Sequence, residues 1–165
     1  MRVFLALFML SLTLFGAQFI DLLDRKVELQ KSPKSFVAIG PGALRLAVYL
    51  GLNDKLIGIE ATEANSIAMV PYRNSLGREK IESLPKIGQG GPGVMPNLEA
   101  IATLKPDVII ASFFDKATLD MIEAKTNIPV VAISYGSGYG GNADKFTDVK
   151  NSIKLLGSIF DKKIV

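Results

Sequence analysis

Residues 96–111 constrain the fold more than any other stretch of the chain, because a helix start, a helix stop and a buried strand follow one another within them. Asn97 is a good N-cap residue, and Leu98, Ile101, Ala102 and Leu104 fall on one helical face. Pro106 disfavours helical geometry in Lys105, so the helix must stop there. Val108, Ile109, Ile110 and Ala111 then form a short apolar run after a Pro-Asp turn, which reads as a central strand covered on both faces. A helix running directly into such a strand calls for an α/β layered domain.

The rest of the chain repeats that alternation. Residues 20–29 form an extended alternating piece, with Asp24 at its turn. Residues 35–39 read as a strand and Gly40-Pro41-Gly42 as a loop, followed by a helix carrying Leu44, Ala47 and Val48, and a second strand at residues 56–60. So short a return favours parallel pairing with a right-handed crossover. Residues 61–84 read as a loop with a broken helix, and Lys86-Ile87-Gly88 as a short third strand before the Gly-rich residues 89–93. After the strand at 108–111 come a helix at 116–125, a strand at 128–133 and a Gly-rich loop at 134–141. A final helix at 143–160 carries Phe146, Val149, Ile153, Leu156, Ile159 and Phe160 on one stripe. The expected fold is α/β, a doubly wound parallel sheet of four or five strands with helices on both faces.

Residues 1–17 have the order of a secretory leader: Arg2, an apolar run from Val3 to Phe15, then Gly16-Ala17. The run is shorter than the roughly 20 residues that span a bilayer, and with no Cys in the chain the lipid-anchored kind of leader is not expected. The domain is then residues 18–165, in an extracytoplasmic location. Without the leader the chain has 18 basic and 16 acidic residues, scattered rather than clustered, which argues against a nucleic-acid partner. The sequence holds no Cys and no His. That removes thiolate and imidazole metal sites and the commonest general base, so neither a bare transition-metal site nor most hydrolytic mechanisms are expected.

In doubly wound sheets, ligands lie beyond the carboxyl ends of the strands. Three Gly-rich loops fall on that edge: Gly40-Pro41-Gly42, the run containing Gly90 and Gly91, and the run with Gly136, Gly138, Gly140 and Gly141. Ser112 follows another strand on the same edge. None of these loops matches a dinucleotide fingerprint or a P-loop.

The stretch from Asn97 to Ile110, with Pro85-Lys86-Ile87-Gly88 ahead of it, resembles the signature of the class III substrate-binding proteins of iron-siderophore, haem and cobalamin ABC transporters. The resemblance extends from about Asp21 to the end of the chain, and Asp24 stands where the family usually has Gly. It implies two α/β lobes joined by a long helix, with the ligand held between them. The sequence ends where that helix would begin, so the expectation is an N-terminal lobe alone, carrying half a cleft and binding weakly until a second lobe closes over the ligand. It implies no intrinsic cofactor. The transported ligand would be an iron(III) chelate, cobalamin or haem, and the partner a membrane permease. Tyr72, Tyr135 and Tyr139 are candidates to pack against an organic chelate, and Arg73 to pair with one of its anionic groups. Glu99 matches the family position that docks to an Arg of the permease.

Two other classes stay open at this stage. One is a cytosolic α/β enzyme or nucleotide-binding domain, with Asp115, Glu60 and Ser112 as candidate catalytic groups. The other is a sensor lobe that has kept the fold and lost the ligand.

Overall fold

In the computed structural model, residues 16–29, 32–65, 70–134 and 145–163 are described. Four parallel strands form the main sheet: β3 (Phe36–Ile39), β4 (Leu56–Gly58), β5 (Val108–Ala111) and β6 (Val130–Ala132), in the spatial order β4-β3-β5-β6. A separate antiparallel hairpin precedes them, formed by β1 (Ala17–Ile20) and β2 (Lys26–Leu29).

Both faces of the sheet are covered. Phe36, Ala38, Val108, Ile110, Val131 and Ile133 belong to the core shared with α1 (Ala43–Tyr49) and α7 (Lys145–Ile159). There Phe36 and Phe160 meet edge to face, with ring centroids 5.9 Å apart. The short helices α2 (Ala61–Asn65), α3 (Pro71–Asn74) and α4 (Arg78–Ser83) lie between β4 and the next crossover, and Tyr72, Leu76 and Ile81 extend the same core. The alternate residues Val37, Ile39, Ile109, Ala111, Val130 and Ala132 pack with α5 (Leu98–Leu104) and α6 (Lys116–Thr126). The period-2 alternation of strand side chains thus feeds two cores, as a doubly wound sheet requires.

The stretch that anchors the sequence reading folds as its residues dictate. Asn97 Oδ1 accepts the Ala100 N–H at 3.0 Å, and Lys105 ends α5 in the left-handed region. Asp107 has a duty that the sequence does not announce. Its carboxylate accepts the N–H groups of Lys34 and Ser35 at 2.7 and 3.0 Å, while its own N–H donates to Ser35 Oγ. The first residues of β3 and β5 are thereby pinned side by side.

Three expectations are corrected. Lys86-Ile87-Gly88 makes a single parallel bridge, Ile59 to Lys86, rather than a strand. The Ile87 carbonyl is taken by the Asn97 N–H and that of Gly88 by the Ala61 N–H, so no ladder can continue and, among the described residues, the main sheet has four strands. Residues 20–29 are not one extended piece but the turn and second strand of a hairpin. Asp21 Oδ1 accepts from the N–H groups of Leu23 and Arg25, and Asp24 supplies the left-handed turn, φ 56°, that Gly would give. Phe146 is 89% exposed in the first turn of α7, where Asp148 is the residue turned inward to Ser134. Ala17, the last residue of the expected leader, is the first residue of β1. Residues 1–15 lie outside the described part.

The hairpin is riveted to the β6 edge by a charge cluster whose centre, Arg25 and Asp21, is buried while Asp120 and Glu123 lie at the surface. Arg25 donates to Asp21 Oδ2 at 3.2 Å, Asp120 Oδ1 at 2.7 Å, Glu123 Oε2 at 2.6 Å and the Val130 carbonyl at 3.0 Å, while Asp21 Oδ2 also accepts the Ala132 N–H. Removing the guanidinium takes its counter-charge from the fully buried Asp21 carboxylate, which then keeps only the backbone N–H groups of Leu23, Arg25 and Ala132. Arg25→Ala should therefore lower the unfolding free energy by about 3 kcal/mol in a urea titration; a loss under about 1 kcal/mol would show that the cluster does not hold the hairpin.

Candidate functional site

The strand order reverses direction between β3 and β5, and the residues leaving those strands are Gly40 and Ser112. This is the switch point at which open α/β sheets carry their ligands. The two loops are stitched to each other there. The Ser112 N–H donates to the Ile39 carbonyl at 3.1 Å, and Ser112 Oγ donates to the Pro41 carbonyl at 2.6 Å. Gly40 has φ +79°, and a Cβ on it would stand 2.1 Å from the Ser112 carbonyl oxygen. Only glycine fits, for reasons of both backbone angle and space.

A second junction lies beside the first. Glu60, at the end of β4, is 2% exposed, and both of its oxygens accept the Gly40 N–H, at 3.1 and 3.2 Å. Gly90 presses on it from the next loop, where a Cβ would stand 2.4 Å from Thr62 Oγ1 and 2.8 Å from Glu60 Oε2. The glycines at this edge thus let the loops approach one another, and Gly40, Gly42, Gly90 and Ser112 are buried while Pro41 and Gly91 are partly exposed. Among the described residues the rim is a packed platform rather than a set of loops held apart around a cavity. Its parallel sheet agrees with expectation.

Tyr72 and Arg73, named as chelate contacts within a stretch read as a loop with a broken helix, are helical and engaged with Glu63. Both lie in α3, and Tyr72 is only 5% exposed because its ring packs into the core that includes α1. Its hydroxyl donates to Glu63 Oε2 at 2.6 Å, and Arg73 Nε donates to the same oxygen at 2.6 Å. Burial and the bond to Glu63 push the Tyr72 phenol up to about 12, so it is neutral and committed at ordinary pH. Arg45 on α1 and Arg73 both stand over the Tyr72 ring, their guanidinium carbons 5.3 and 5.5 Å from its centroid. The result is a compact Arg45, Glu63, Tyr72 and Arg73 cluster close to the Glu60 junction, of which the sequence reading named only Tyr72 and Arg73. The i, i+3 spacing of Glu60 and Glu63 across the start of α2 was the available signal. Tyr135 and Tyr139, with Gly136, Gly138, Gly140 and Gly141, lie outside the described residues.

The groups named for an enzyme have structural duties. Ser112 Oγ donates to a carbonyl, and Asp115 caps α6 by accepting the Thr118 N–H at 2.7 Å, a bond that holds its carboxyl below the usual range. Two features at the same edge went unread in the sequence. Phe113, directly after Ser112, is a half-buried aromatic residue at φ 63°, a conformation that costs a bulky side chain about 1 kcal/mol or more. Ser134, after β6, bonds to Asp148 and Ser152 of α7, all three buried. No group of three or more metal-ligating side chains occurs among the described residues. Elsewhere, an open cleft of about 390 Å³ on the α5 and α6 side is lined by Leu98, Glu99, Ala102 and Lys125, with Glu99 exposed.

Glu60 dominates the electrostatics of the junction. Desolvation by burial, opposed by the Gly40 N–H and reinforced by the nearby Glu63 charge, pushes its carboxyl from 4.5 up to about 7. The folded chain therefore holds this proton after the unfolded chain has released it, and stability falls as pH rises between those two values, by about 3 kcal/mol in all. Glu60→Gln should remove that loss, raising stability above pH 7 and leaving it little changed below pH 4.5. Thermal unfolding of both proteins from pH 4 to 8 checks this, and parallel curves would place the proton elsewhere.

A sequence model of the periplasmic binding protein family matches residues 37–163. Molybdate-binding protein MolA of Haemophilus influenzae is 27% identical over 158 residues, covering 87% of this chain and 42% of MolA. The uncharacterised ABC transporter substrate-binding lipoprotein YvrC of Bacillus subtilis is 23% identical, covering 83% of this chain and 37% of YvrC. The chain thus spans less than half the length of these relatives. Among solved structures, MolA bound to molybdate superposes with a TM-score of 0.71 at 24% identity, covering 89% of this chain and 47% of that one. The petrobactin-binding protein YclQ of Bacillus subtilis superposes at 0.65 with 23% identity, covering 89% and 46%. The catecholate-siderophore binding protein VctP of Vibrio cholerae does so at 0.64 with 21% identity, covering 88% and 46%. The four-stranded parallel sheet with its two helical faces is one lobe of this architecture, and the chain belongs to the periplasmic binding protein family.

Proposed function

We propose that this chain is the N-terminal lobe of the extracytoplasmic solute-binding component of an ABC importer, which receives an iron(III) chelate in a cleft shared with a second lobe and delivers it to a membrane permease. The observation that carries this reading is the packed platform at the switch point, where Gly40 meets Ser112 and, through Glu60, the Gly90 loop, so that the segments Gly40-Pro41-Gly42, Ser112 and Gly90-Gly91 share one edge. A pre-formed half-surface built from closely packed loop backbone suits a bulky complex that a second lobe covers. The petrobactin and catecholate-siderophore specificities of YclQ and VctP support a ferric chelate.

A second reading, molybdate, is favoured by the match to MolA over most of this chain. Both ligands are metal-centred anions, so the same platform serves either reading. With 4 Tyr and no Trp, tyrosine fluorescence reports on the chain directly. Titration with ferric siderophores, haem, cobalamin and molybdate should give a saturable response to a ferric siderophore, tightened when the second lobe is supplied. A response to molybdate alone would replace the chelate by the oxyanion, and silence toward all four with both lobes present would favour the sensor reading.

Glu99 is the proposed contact with the permease. It is exposed in the first turn of α5, where the helix dipole stabilises its charge by about 0.3–1 kcal/mol. Glu99→Arg in the two-lobed protein should leave ligand affinity unchanged and abolish uptake, with association becoming less salt-sensitive. Undiminished uptake would remove Glu99 from docking.

A further inference from the structure

The buried acids of this lobe differ sharply in how well they are served. Asp21 is met by the N–H groups of Leu23, Arg25 and Ala132 and by the Arg25 guanidinium. Glu63 is met by the Tyr72 hydroxyl and Arg73 Nε. Glu60, equally buried, shares the one Gly40 N–H between its two oxygens. An ionised carboxylate has about four acceptor positions, so the charged form of Glu60 is poorly solvated by its surroundings, whereas a neutral acid keeps the Gly40 bond with a single oxygen.

The position of that acid is as telling as its isolation. Its carboxylate accepts the Gly40 N–H on one side, and on the other lies so near Gly90 that a Cβ there would stand 2.8 Å from Oε2. The backbone just after it reaches the same loop, Ala61 and Thr62 donating their N–H groups to the Gly88 and Gln89 carbonyls at 2.9 Å each. Among the described residues, the charged and titratable groups facing this junction are Glu63 on α2, Tyr72 and Arg73 on α3 and Arg45 on α1. Residues 40–42 and 88–91 contain no ionisable side chain, and Asp115, in the segment after β5, is exposed and caps α6.

We propose that Glu60 is a positioning residue that couples ligand charge to a proton: an anionic ligand seated on the Gly40 and Gly90 loops is bound together with one proton taken up by Glu60. The inference rests on reading these loops as the ligand edge. A negative ligand a few ångströms away disfavours a second, desolvated negative charge beneath the platform. Neutral Glu60 still accepts the Gly40 N–H, so the platform keeps its shape while the repulsion disappears. Burial already places the exchange near neutral pH, where the ligand's charge decides it.

The test starts without ligand. In the unliganded chain, the Gly40 amide resonance and the Glu60 carboxyl resonance should titrate together with a midpoint near pH 7. Molybdate and a ferric tris-catecholate serve as anionic probes. Either probe, once bound, should move that midpoint upward, and calorimetry at pH 7.5 in two buffers of different ionisation enthalpy should show net proton uptake of up to one per ligand. Affinity should then fall by up to tenfold per pH unit above the unliganded midpoint. Glu60→Gln should abolish the uptake and flatten that pH profile. A Gly40 resonance that does not titrate between pH 6 and 8, or uptake that persists in Glu60→Gln, would overturn the proposal without touching the transport reading. If neither probe binds even with the second lobe present while Gly40 still titrates, the ligand edge itself is wrong and the coupling falls with it.

Discussion

The pairing of β3 with β5 is the constraint on which this molecule is built. These two strands are adjacent in the sheet but separated in sequence by the whole β4 crossover, so their contact closes a long loop on which both cores depend. Asp107 and Ser35 lock the seam at its start, and Ser112 locks it at its end through the carbonyls of Ile39 and Pro41. Between those locks, every residue of both strands is buried. The apolar alternation sends half of the side chains to each helical layer, so loss of the seam would unmake both cores together.

The platform is a consequence of the same seam. Because β3 and β5 are held in register to their last residues, Gly40 and Ser112 meet with no room for a Cβ. Glu60 extends the junction one strand further out and Gly90 seals it. A binding surface made this way is stiff, since each loop is positioned by its neighbours rather than by its own turn chemistry. Stiffness suits a half-site completed by a second rigid body, because less order must be imposed on binding.

Charge is handled in two ways. At the β6 edge, Arg25 gathers three carboxylates and a carbonyl into a saturated cluster that fastens the hairpin. At the platform, by contrast, Glu63 saturates itself with Tyr72 and Arg73 and leaves Glu60 nearly alone. Similar side chains therefore act as rivets in one place and as a proton-exchanging group in the other, and hydrogen-bond supply makes the difference.

Local periodicity and turn chemistry determined the layered α/β class and the α5-to-β5 unit, because Asn97, Lys105-Pro106 and the run from Val108 to Ala111 act through backbone preferences over a few residues, while the family was legible only through the resemblance of that stretch to a known signature. The Gly40 and Gly90 loops were legible as belonging to one sheet edge from the same strand-and-turn pattern. The sequence could not show that Tyr72 turns inward to Glu63, that Lys86 to Gly88 stops at one bridge, or that Asp21 and Asp24 fold a hairpin, since each outcome hangs on partners distant in sequence or on a carbonyl already claimed elsewhere. Only the tertiary structure decided that Glu60 lies buried between Gly40 and Gly90. Burial and donor supply are properties of the assembled loops, and no local pattern encodes them.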